Sequence, residues 1–158
     1  MHSEPQQEHR WLQKLIGEWT TEHTAPTAPD ASAENMQGRE SVRSLGDLWV
    51  LCEGEGEMPG GGIARSLMTL GYDPTRQRFV GSFVASMMTH LWVYEGELDA
   101  AGKVLTLNTV GPKFDGEGMA NYRDVIEFHD DNYRTLSAYV QDDNGQWQRM
   151  FVAHYRRK

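Results

Sequence analysis

From Met36 onward the chain takes a period of two: runs rich in Val, Thr, Tyr, Phe and Trp recur every 10–15 residues, divided by turn signals. The dividers are Gly46-Asp47, Pro59-Gly60-Gly61-Gly62, Asp73-Pro74, Ala101-Gly102, Asp130-Asp131-Asn132 and Asp143-Asn144-Gly145. The pattern predicts strands near 17–23, 38–45, 48–57, 63–72, 77–86, 89–98, 103–110, 119–129, 132–141 and 146–156, with no second helical segment among them. So many antiparallel strands in one open sheet would leave edges that aggregate, so the sheet must split into a sandwich or close on itself. Short sequential hairpins favour closure, because a sandwich usually needs Greek-key crossovers. The expected fold is all-β, an up-and-down antiparallel β-barrel of about ten strands.

A short helix is expected ahead of the strands, over residues 4–16, as a cap on one end. Ser3-Glu4-Pro5-Gln6 has the Ser-x-x-Gln form of a capping box, with Pro5 in the first turn where its missing N–H costs nothing. Trp11, Leu12, Leu15 and Ile16 form one apolar stripe, and Gly17 is expected to end the helix as a left-handed C-cap. Residues 24–35 hold Pro26 and Pro29 among small residues without periodicity, which predicts a long mobile loop. It is too short for a domain boundary, so the 158 residues read as one domain over 1–158.

Composition removes several classes of function. A chain of 158 residues buries enough surface to fold without staples, and Cys52, its one cysteine, allows no intrachain disulfide or cysteine metal cluster. The net charge of -8 repels phosphate backbones, which argues against a nucleic-acid partner. No apolar run is long enough to span a bilayer as a helix, and residues 1–8 are polar and acidic where a secretory signal is basic and then apolar; no membrane partner and a cytoplasmic location are expected.

Polar residues recur on both faces of the strands. Ala120, Tyr122, Asp124, Ile126 and Phe128 alternate with Met119, Asn121, Arg123, Val125 and Glu127, and each set mixes apolar with polar side chains. That patterning suits a barrel whose interior is partly a cavity; a bulge that switches faces is the alternative. His90, Trp92 and Tyr94 share one face, Arg123 and Glu127 another, and these five are the candidate ligand-binding residues, with Trp49 and Met87 as further lining. Turned inward, Arg123 would fix an anionic head group and His90 would donate a hydrogen bond or act as a general base. Turned outward, Arg123 and Glu127 would form an exposed ladder of small energetic weight. Eight methionines supply soft surface that can re-pack around a ligand or simply fill a core.

No two of the six histidines have His-x-His or His-x-x-x-His spacing, so no metal is expected. Gly81-Ser82-Phe83 lacks the rest of a nucleophile elbow, and Gly54-Glu55-Gly56-Glu57 carries acids where a phosphate loop needs none. Those glycines suit a bent strand instead.

Gly17-Glu18-Trp19 directly after the short helix resembles the Gly-x-Trp motif of lipocalin-like (calycin) barrels. The resemblance implies that Trp19 plugs the closed end beside an arginine from the end of the barrel, here Arg156 or Arg157, with Gly17 a structural residue too. A second tract resembles the bacterial family known as domain of unknown function 1579: Gly71-Tyr72-Asp73, Ser86-Met87-Met88-Thr89, Gly96-Glu97-Leu98-Asp99, Gly102-Lys103-Val104-Leu105-Thr106, Arg123-Asp124-Val125-Ile126 and Tyr155-Arg156-Arg157, in the family's order and spacing. Where that family often has Trp-x-Asp, this chain has Phe83-Val84-Ala85. The chain is also similar to the haem-binding nitrobindin barrels through Glu53-Gly54-Glu55-Gly56, but His154 falls out of register with their haem ligand, so no cofactor is expected.

The expected function is binding of a small, largely apolar or amphipathic molecule inside the barrel. The alternatives are an enzyme that uses His90 with Glu127 or Arg123 in the same cavity, and a homodimeric interaction scaffold that uses apolar residues of the outer wall.

Overall fold

The computed structural model describes residues 1–24 and 35–158. Apart from its two end residues, the loop expected over 24–35 lies outside them. A six-residue helix α1 (Gln7–Leu12) runs into a 3-10 turn (Gln13–Leu15), and ten strands follow. They are β1 (Gly17–Thr24), β2 (Asn35–Leu45), β3 (Trp49–Glu57), β4 (Ile63–Asp73), β5 (Arg78–Ala85), β6 (Trp92–Leu98), β7 (Val104–Pro112), β8 (Met119–Asp130), β9 (Tyr133–Gln141) and β10 (Trp147–Arg157). Each pairs antiparallel with its neighbour in sequence, and β1 also pairs with β10, so the sheet closes into a barrel. Closure leaves no row of unpaired backbone groups to recruit another chain.

The helix differs from the expectation at both ends. It begins at Gln7, not 4, and its cap is Gln6 with His9: the Gln6 backbone N–H donates to His9 Nδ1 at 2.9 Å. Since Nδ1 accepts there, His9 Nε2 carries the proton and donates to the Tyr72 carbonyl at 3.0 Å, tying the helix to β4. The helical segment ends at Leu15 and Ile16 is extended, so Gly17 is the first residue of β1 and not a helix cap.

Period two sends alternate side chains inward, and the interior divides into two halves. At the end covered by α1, Leu12, Leu15, Trp19, Val42, Leu70 and Phe79 pack into a hydrocarbon core, with Leu105, Ile126 and Phe128 from the opposite wall. A helix this short cannot hold itself in water, so burial of Trp11, Leu12 and Leu15 keeps it in place. The outer wall carries cross-strand ion pairs: Arg39 with Glu55, Arg43 with Glu53, Arg76 with Glu95 and Arg78 with Glu97. No helix among the described residues is long and apolar enough to cross a membrane.

Candidate functional site

The half of the barrel away from α1 holds a cavity of about 500 Å³. Its mouth is formed by the hairpin ends: Met58 and Pro59 between β3 and β4, Met87 and Met88 between β5 and β6, and Phe114 between β7 and β8. Below them Met36, Met68, Phe83, Leu136, Phe151 and Trp92 supply apolar wall. Met150 and Phe151 both line it because β10 bulges between Arg149 and Phe151 against β9, which lets consecutive residues face one space. The volume lies within the usual range for small-molecule sites, roughly 300–1,000 Å³. A groove of about 680 Å³ on the outer wall beside Arg39, Glu53 and Arg65 is a different feature, lined by ion-paired groups that remain in water.

A layer of ionisable groups crosses the barrel where cavity meets core. Arg134 from β9 is 2% exposed and ion-pairs with Glu40 of β2 at 2.5 Å, its guanidinium lying 4.5 Å from the Trp19 ring centroid and 4.1 Å from that of Tyr155. Burial pushes the Glu40 carboxyl up, and the Arg134 guanidinium beside it pulls the other way without cancelling that. Asp124 of β8 accepts a hydrogen bond from the Tyr94 hydroxyl at 2.5 Å, and burial pushes its carboxyl up to about 6. Burial first, then the Asp124 charge, pushes the Tyr94 phenol well above its ordinary range, and burial does the same for Tyr155 and for the Cys52 thiol. Three buried polar atoms, Trp92 Nε1 and Thr109 Oγ1 of the cavity-lining residues and Nε of Arg134, have no hydrogen-bond partner among the described residues. Buried polar atoms are nearly always satisfied, by protein groups or by ordered water.

The residues expected to form the site divide by face. Trp92 and Tyr94 point inward from β6, and Met87 stands at the mouth. Arg123 and Glu127 lie on the outer face of β8, because Tyr122, Asp124, Ile126 and Phe128 hold the inner one. There Arg123 donates to Asn108 Oδ1 at 3.1 Å and stacks 4.0 Å from the Trp147 ring. His90 precedes β6 at a half-buried position, its ring edge-on to that of Trp92 at 4.7 Å and bonded through Nε2 to the Val110 carbonyl at 3.1 Å. Trp49 lies on the outer wall against Gly71, where a Cβ would fall 2.5 Å from the indole. His90, Arg123 and Glu127 therefore do not meet in the cavity, and the general-base cluster built on them is not formed. His154 is also an outer-wall residue, hydrogen-bonded to Tyr133 Oη at 2.8 Å.

At the closed end it is Arg157, not Arg156, that faces Trp19. Its guanidinium lies 4.2 Å from the ring centroid and donates to the carbonyls of Ile16 at 2.7 Å and Lys14 at 3.0 Å. Gly17 makes room: with φ at +137°, any Cβ there would sit 2.5 Å from that guanidinium. Arg156 points outward over Tyr133.

The sequence reading missed Asp124, Glu40, Arg134 and Thr109. For Asp124 a signal existed, one acid in the alternating set Ala120, Tyr122, Asp124, Ile126, Phe128, whose bulk marks it as the inner face. Glu40 and Arg134 are 94 residues apart and meet only through closure.

A model of the family described as "Protein of unknown function (DUF1579)" matches residues 4–157. The chain belongs to the DUF1579 family. No curated protein matches it. Among solved structures, this DUF1579 chain is similar to Rv2717c from M. tuberculosis, at 11% identity and a TM-score of 0.62 over 98% of this chain and 99% of that one. It is also similar to EF1p2_mFAP2b bound to DFHBI, at 12% identity and a TM-score of 0.51 over 96% and 99% of the two chains. A third similar structure is a redesigned beta barrel, mFAP0, bound to DFHBI, at 11% identity and a TM-score of 0.50 over 92% and 100%. Likeness at these identities establishes the barrel fold of the DUF1579 chain.

Proposed function

We propose that this protein binds a small, largely apolar molecule with a polar handle inside the barrel. The observation that carries the reading is a cavity walled by methionine and aromatic side chains in which two buried polar atoms, Trp92 Nε1 and Thr109 Oγ1, lack partners. Apolar walls supply affinity by removing ligand surface from water, and a few fixed polar groups set orientation. Methionines at the mouth can re-pack as a ligand passes. The same fold carries a small molecule, DFHBI, in two of the compared structures.

Titration with the neutral fluorophore Nile red tests this. Saturable, one-to-one, blue-shifted emission is expected, weakened by about tenfold or more in Ala138→Phe, which fills the cavity from its wall. Ala153→Leu is a second filling variant, and circular dichroism confirms the barrel in each. Emission that does not saturate, or that is unchanged in a folded filling variant, overturns the proposal.

A further inference from the structure

We propose that the ligand of this cavity is a small lipophilic amine, its ammonium held by the Asp124 carboxylate, the Thr109 hydroxyl and the rings of Tyr94 and Tyr122. This rests on the cavity reading above and narrows it to one chemical class.

Among the described residues, Glu40 and Asp124 line the cavity from the inner face of their strands and differ in their partners. Glu40 has its cation, Arg134, whose Nη2 donates to that carboxylate and whose guanidinium lies against the rings of Trp19 and Tyr155, its buried Nε being left without a partner among the described residues. Asp124 lines the cavity with one hydrogen bond, from Tyr94, and among the described residues no arginine, lysine or histidine lies within ion-pair distance of it. Of the other charged or titratable groups lining the cavity, Arg39 and Arg65 pair with Glu55 at exposed positions and burial holds the His23 imidazole toward its neutral form, so the negative charge of Asp124 has no cation of its own, which is costly until one completes it. An anionic ligand would add to that cost, and a neutral one would leave it in place.

A second, independent observation points to the same spot. Asp124 pairs with Leu107 on β7, and Thr109 is the next inward position on that strand toward the mouth, opposite Tyr122. Thr109 is 7% exposed, and its Oγ1 has no partner. An ammonium has three N–H donors, so one can go to the carboxylate and a second to the hydroxyl across this diagonal. Tyr94 and Tyr122 flank it from β6 and β8, and a cation over aromatic faces gains further attraction where water is excluded. Trp92 Nε1, a donor only, suits an oxygen elsewhere on the ligand. The hydrocarbon remainder then lies against Met68 and Phe83 toward the mouth.

Calorimetric titration with three shape-matched probes, 4-phenylbutylamine, 4-phenyl-1-butanol and 4-phenylbutyrate, tests the inference at about pH 8, where both the amine and Asp124 are charged. The amine is expected to bind about tenfold or more tighter than the alcohol, and the acid more weakly than the alcohol. In Asp124→Asn the advantage of the amine over the alcohol is expected to fall to within about threefold. An alcohol that binds as tightly as the amine in the wild-type protein overturns the amine assignment and leaves the cavity reading standing, as does an amine preference that survives in Asp124→Asn. Failure of all three probes together with Nile red overturns both.

Discussion

Asp124 shows how one enclosed carboxylate shapes the protein. Its carboxyl is pushed from 3.8 to about 6, so the folded state holds this proton more tightly than the unfolded chain does. The sign follows directly: below the unfolded value both states are protonated and the residue costs nothing, the cost grows as pH rises through the interval, and it is complete above the folded value. That cost is at most about 3 kcal/mol, since 2.2 pKa units at 1.36 kcal/mol each sets the limit and any cavity water reduces it. Exposed acids with lowered pKa values, Asp99 and Asp142 among them, work in the opposite direction, so the comparison needs a variant. The stability of Asp124→Asn relative to wild type is expected to be greatest near pH 7.5 and to shrink toward about pH 4.5, read from urea midpoints. A difference independent of pH would show that Asp124 ionises as an ordinary surface acid. This residue was within reach of sequence reasoning. Both faces of β8 carry polar groups, and parity is settled only by weighing Tyr122, Ile126 and Phe128 against Val125, the one strongly apolar residue between Arg123 and Glu127 on the other face.

At the scale of elements, the barrel has a sealed half and an open half. Trp11 seals the first: its indole N–H donates to the Gly102 carbonyl at 2.7 Å, and its ring meets Phe79 and Phe128 edge-on. Trp11→Ala is expected to cost about 3–5 kcal/mol of unfolding free energy, as large-to-small changes at packed aromatic sites do. Nile red affinity should stay unchanged in the folded variant, because no residue of α1 lines the cavity. A loss of affinity in Trp11→Ala would tie the two halves together and contradict that division. The strands themselves were legible because turn chemistry and period two agree along the chain. Gly46-Asp47 and Asp143-Asn144-Gly145 each fall at a hairpin between observed strands. The errors came where local signals compete with packing. His90 and Leu91 extend the alternation of β6 backwards, yet the chain there is loop, and Ser3-x-x-Gln6 looks like a cap while the helix takes its cap from Gln6 and His9.

For the whole molecule, closure decides which features can act. It places Glu40 beside Arg134, sets Arg157 against Trp19, and leaves Arg123 and Glu127 in water on the outer wall, outcomes that no single strand contains. It also encloses a volume that the side chains of the described residues do not fill in one half, where a ligand is proposed to sit. The most direct measurement is anomalous diffraction from crystals grown with 4-bromobenzyl alcohol. A bromine peak is expected inside the barrel among Met68, Trp92 and Leu136, absent in Ala138→Phe. An interior found closed by side chains, or bromine only on the outer wall, would contradict it.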